Sequence, residues 1–171
     1  MCEAGSNYRN LINRLSQEVY PDLEKSLNDI INEDAGSLKN LLNITIIVIQ
    51  KELHSLERFE KKLIFPAILS LVDADERCKD FEPNIEEIIN LTTLKEERLI
   101  KCFEKVSEIL DHEEGFNSDY NQQRVMEKLH GLRDIFYNHF IPEKKRWREL
   151  LVQLHRYVSP QFEKTDITKY K

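Results

Sequence analysis

The sequence predicts an all-α protein, an up-down-up-down four-helix bundle, and three observations lead there. Apolar residues recur at steps of three and four through four long stretches, the spacing of a core-facing helix. Glycine and proline are scarce, at four and five in 171 residues. The connections between the stretches are short and polar, which suits antiparallel neighbours.

The first helix is predicted over residues 7–33, with Leu11, Ile12, Leu15, Val19, Leu23, Leu27, Ile30 and Ile31 on its apolar face. Pro21 lies inside it and predicts a kink, or a helix start near Tyr20-Pro21. Tyr20 is in phase with Leu23 and Leu27, so its ring is expected to face inward. A turn follows at Asn32–Ser37, with Ser37 a candidate cap for the second helix. That helix is predicted over 38–71, with a stripe of Leu42, Ile46, Ile49, Leu53, Leu56, Leu63 and Ala67, and a further kink at Pro66. The third helix begins near Asn84, with Glu86 and Glu87 favouring its N-terminal dipole. Ile89, Ile100, Phe103, Val106 and Leu110 carry its core face. Gly115 suits a C-cap for it, and Asp119 an N-cap for the fourth. The fourth helix is predicted over 120–158 with Pro142 inside it. Residues 1–158 thus form one helical bundle, and 159–171 a polar C-terminal tail.

Composition narrows the function classes. The chain is long enough for one domain with a core, and it carries a formal net charge of -6 with basic residues scattered along it. An acidic chain without a basic stripe argues against nucleic acid as the main partner. The longest apolar stretch, Ile44 to Ile49, is too short to span a membrane. The N-terminus has no apolar signal core, so the expected location is cytoplasmic. Cys2, Cys78 and Cys102 form no CxxC pair and no zinc spacing, and read as free thiols. No Ser-His-Asp or Cys-His arrangement has an interpretable spacing, so an enzyme ranks last among the readings.

The informative residues are polar ones in apolar stripes. In the fourth helix the stripe Val125, Leu129, Leu132, Phe136 continues in the same phase to His139 and Glu143, then resumes at Trp147, Leu150, Leu151 and Leu154. An ionised Glu facing a core is costly unless paired or metal-bound. His and Glu one turn apart share a face and can share a cation or a proton. Glu60 falls between Leu56 and Leu63 in the second helix, and Glu96 or Glu97 points inward or along the rim of the third. With Tyr20, these residues recur at similar depth. Bundles build metal sites from such side chains, and a carboxylate-rich set suits iron or manganese, with zinc a further candidate.

The stretch EKLHGLRDIFYNHFIPEKKRW resembles the last helix of hemerythrin-like (HHE cation-binding) domains, above all the di-iron domain of Repair of Iron Centres proteins. There a His-x-x-x-Glu pair followed by an aromatic and a proline supplies ligands, and His139 and Glu143 match the pair. EKKLIFPAI, from Glu60 to Ile68, resembles the family's Glu-rich segment ending in Leu-Phe-Pro. The likeness covers roughly Leu11 to Leu151 in short motifs. It implies a metal set of Glu60, His139 and Glu143, with Tyr20 (or Glu18) and Glu97 (or Glu96) standing in for two histidines. The cofactor implied is non-haem iron, one or two ions, and the functions implied are oxygen or nitric oxide response, iron storage or iron-centre repair. Leu56 stands where the family has a His one turn before Glu60, and the cysteine-pair domain that often precedes this subtype is absent.

Two readings follow. The first is a hemerythrin-like metal-binding protein with a small diatomic ligand. The second is a metal-free bundle kept as an interaction or regulatory domain, with a protein partner or a second copy of itself. Leu56 favours the second. Of the other histidines, His54 reads as a solvent or rim residue, and Glu127 with His130 as an exposed i, i+3 pair.

Overall fold

Proline inside a helix removes one N–H and presses its ring on the carbonyl four residues back. Pro21, Pro66 and Pro142 all lie within predicted helices, and the chain accommodates all three in one way. The computed structural model describes residues 2–33, 39–73, 84–111 and 120–158. In it, a five-residue π-helical turn closes two residues before each of these prolines: Leu15–Val19, Glu60–Ile64 and Phe136–Phe140. The N–H groups of Tyr20, Phe65 and Ile141 bond to the carbonyls of Leu15, Glu60 and Phe136, one residue further back than in an α-helix. The wider turn lets the helix run on through the proline instead of breaking. It also leaves the Ser16 carbonyl without a helical donor, because Tyr20 bonds to Leu15 and Pro21 has no N–H. The Lys61 ammonium, from the neighbouring helix, donates to that carbonyl at 3.2 Å.

The described residues therefore form four helical rods and no strand. Helix α1 (2–31) joins Cys2–Arg14, the first π turn and Tyr20–Ile31. Helix α2 (39–73) joins Lys39–Phe59, the second π turn and Phe65–Asp73. Helix α3 is Ile85–Asp111, and α4 (120–158) joins Tyr120–Ile135, the third π turn and Ile141–Val158. Asn84 caps α3, its Oδ1 accepting from the Glu87 N–H at 3.1 Å. The expected caps at Ser37, Gly115 and Asp119, and the tail from residue 159, lie outside the described residues.

Each rod buries one stripe. Tyr20–Ile31 packs on Lys39–Phe59 and on Tyr120–Ile135, while Cys2–Arg14 packs on Phe65–Asp73 and Ile141–Val158. Helix α3 packs on Lys39–Phe59 and on both α-helical parts of α4. Several of the core's aromatic rings gather near the π turns. Phe136 stacks on Phe103 at 3.6 Å between ring centroids and lies 5.2 Å from Phe140, whose ring meets Tyr20 edge-on at 5.9 Å. Phe65 meets Trp147 edge-on at 5.3 Å.

The π turns change which residues face this core. Each adds one residue to its turn, so the stripe beyond it runs one position later. In α4 the buried series is Val125, Leu129, Leu132, Phe136, then Phe140, Lys144, Trp147, Leu151 and Leu154. His139 is exposed and Leu150 half-buried, contrary to the unbroken period. In α2 the series is Leu42, Ile46, Ile49, Leu53, Leu56, Glu60, then Ile64 and Ile68. Leu63, expected in the stripe, is exposed, and Ala67 is half-buried. In α3, Thr92, Glu96 and Leu99 are buried where Ile89 and Ile100 were expected to lead; those two are half-buried. Among the described residues no helix is long and apolar enough to cross a membrane.

Candidate functional site

Glu60 opens the second π turn and is completely buried. Both of its carboxylate oxygens have donors. The Tyr20 hydroxyl, from the residue that closes the first π turn, donates to Oε2 at 2.5 Å. The Lys144 ammonium, on α4 beyond the third π turn, donates to Oε1. Lys144 is itself only 1% exposed. Its Nζ also lies 3.2 Å from Glu96 Oε1, close enough for ion pairing though off-line for a hydrogen bond, and 6.0 Å from the centre of the Phe140 ring. Arg148, one turn beyond Lys144 and partly exposed, reaches Glu96 Oε2 at 3.3 Å.

The centre of the fold is thus a cluster of two carboxylates, one ammonium, one guanidinium and one phenol, drawn from all four helices. Two negative and two positive side chains balance, which is the condition for keeping charges in a core. Burial, and then the Glu60 carboxylate beside it, push the Tyr20 phenol well above its ordinary value of 10.0, so it stays a neutral donor. Burial is also the largest influence on Glu96 and pushes its carboxyl upward, against the pull of Lys144 and Arg148.

The expected site residues divide between this cluster and the surface. Tyr20 and Glu60 meet directly. Glu96, not Glu97, is the buried carboxylate of α3, and Glu97 is exposed. Glu18, the alternative to Tyr20, is exposed and lies 3.8 Å from Arg14. Glu143 is buried near the rim, where Arg14 pairs with it at 2.8 Å. His139 is exposed, and Leu56 is fully buried. Sequence reasoning missed Lys144 and its rim partner Arg148. The signal was present in Pro142: allowing one extra residue before it moves Lys144 into the position that an unbroken period gives to Glu143.

These residues, as arranged, do not fit a metal ion. Both Glu60 oxygens are committed to an ammonium and a phenol, and the Glu96 oxygens face Lys144 and Arg148. A divalent cation there would face the Lys144 charge at close range. The imidazole that would supply nitrogen is on the solvent side.

A different group lies on the seam between α1 and α2. One ligand atom each from Glu24, His54 and Glu57 lie within 4.8 Å of one another. His54 Nε2 is 2.8 Å from Glu24 Oε1, and Lys61 reaches Glu57 at 2.5 Å. His54 is on the rim, as expected, but it is paired there.

Fold and site together define an all-α, four-helix protein with a charge-balanced polar cluster at its centre. No family model, no curated protein and no solved structure matches the chain.

Proposed function

We propose that this chain is a hemerythrin-like, up-down-up-down bundle that works without a metal at its centre, as an interaction domain. The observation that carries the metal-free reading is Lys144, buried between Glu60 and Glu96. Its ammonium supplies the positive charge that converging carboxylates require, and it does so as part of the chain. The packing of opposite ends of α1 on opposite ends of α2 supports the antiparallel topology. The family likeness rests on the His139–Glu143 and Glu60–Pro66 motifs.

The surface offers a face for a partner. Ile44, Ile47, Val48 and Leu63 are exposed on the outer side of α2. Lys51, Arg58 and Lys62 lie among them, along an open depression that Leu63 and Phe59 help to line. In a chain of net charge -6 this is a basic and apolar strip. It fits a polypeptide segment that is acidic and apolar in alternation.

Non-haem iron binding is the competing reading, favoured by the convergence of Tyr20, Glu60 and Glu96 on one point. It requires Lys144 to move out of the core. Anaerobic iron(II) loading, desalting and metal analysis by plasma mass spectrometry separate the two. The chain for this test carries His54→Ala, so that the rim group does not contribute. The proposal expects no stoichiometric iron. Stoichiometric iron that disappears in Glu60→Gln would overturn it.

A further inference from the structure

We propose that Glu24, His54 and Glu57 form a surface binding site for a divalent cation of the zinc class, separate from the buried cluster. His54 and Glu57 are three residues apart on α2, so they project from one side of the helix. Glu24 comes across from α1 to meet them. Donors around a tetrahedral ion, each about 2.1 Å from it, lie about 3.4 Å apart. The three ligand atoms are already within 4.8 Å of one another. Small rotations of two half-buried Glu side chains close the difference.

The chemistry of the group matches such an ion. A neutral imidazole and two carboxylates give one nitrogen and two oxygen donors with a total charge of minus two. Mixed nitrogen and oxygen donors suit zinc and its neighbours better than calcium or magnesium. Three protein ligands leave a fourth position open to water. The ligand oxygens of Glu24 and Glu57 lie within 4.8 Å of each other, and a cation between them relieves the repulsion of two carboxylates.

Lys61 is the local competitor, since it pairs with Glu57. It also holds the Ser16 carbonyl at 3.2 Å, and so keeps a partner when a metal takes Glu57. His54 is exposed, which leaves the site open to exchange with solvent metal.

Calorimetric titration of the full chain with zinc chloride tests the site. The expected result is saturation at about one equivalent, with an upward shift in melting temperature as zinc is added. His54→Ala, an exposed position whose loss leaves the core intact, is expected to weaken binding by at least tenfold, on the scale seen when metal-site residues are removed. Cobalt(II) in place of zinc is expected to give d–d absorption bands that His54→Ala abolishes. Absence of binding, or zinc binding unchanged in His54→Ala, would show that the three residues are only an ion-paired cluster.

Discussion

At the scale of single residues, Lys144 decides how the core is read. A buried ion pair adds little when compared with apolar residues of the same volume, but removing one partner strands the other. Lys144→Met keeps most of the side-chain volume and leaves Glu60 and Glu96 facing each other. The expected loss is about 3–5 kcal/mol in urea unfolding. Glu96 sets a pH dependence of the opposite kind from an ordinary salt-bridged carboxylate. Its carboxyl is raised above the ordinary 4.5, first by burial, so the folded chain binds that proton more tightly than the unfolded chain. Its contribution to stability is full below the unfolded value and is lost as pH rises through the folded value. Glu96→Gln is expected to remove this fall. Urea midpoints measured from about pH 4 to neutrality, for the native chain and the variant, check it.

Among the elements, the three π turns explain what the sequence conveyed and what it concealed. The four helical runs were legible because their apolar positions repeat over several turns. The starts of α3 and α4 matched because Asn84 caps one and polar residues precede the other. Tyr20 was legible as inward-facing because it shares an unbroken phase with Leu23 and Leu27 beyond the first bulge, and Glu60 because it follows Leu53 and Leu56 before the second bulge shifts the phase. His139 and Lys144 were not, because a period of 3.6 carried across Phe136–Phe140 lands one residue short. In α3, which has no proline, the ambiguity between Glu96 and Glu97 came from a stripe too sparse to fix the phase. A deletion experiment tests the role of the π turn in α4. Removing Asn138 together with Pro142→Ala converts the turn to α-helix and keeps Leu132 and Lys144 on the same face. Cooperative unfolding is expected to persist. Removing Glu127 instead rotates Leu129, Leu132 and Phe136 off the core, and loss of the cooperative transition is expected. Equal damage from both deletions would contradict the phase argument.

For the whole molecule, charge is distributed with a pattern that net charge hides. The chain has 25 basic and 31 acidic residues, yet the outer strip of α2 joins Lys51, Arg58 and Lys62 to exposed aliphatic groups. A synthetic peptide alternating Glu and Leu is expected to bind this strip in fluorescence anisotropy. Binding is expected to weaken with salt, since surface charges are screened, and to vanish when the three cations are reversed to Glu. Binding that ignores salt and charge reversal would remove the strip from the account. The ammonium at the centre was legible only once the helices were placed side by side, because Glu60, Glu96 and Lys144 are far apart in the chain.

The most direct test of the central claim, that Lys144 supplies the positive charge holding Glu60 in the core, is a double-mutant cycle in urea. The four chains are native, Lys144→Met, Glu60→Gln and the double variant. If the pair is coupled, the double variant loses less than the sum of the singles, by about 1–3 kcal/mol. Strictly additive losses would mean that the two side chains do not depend on each other, and the account of a core built around an internal cation would fail.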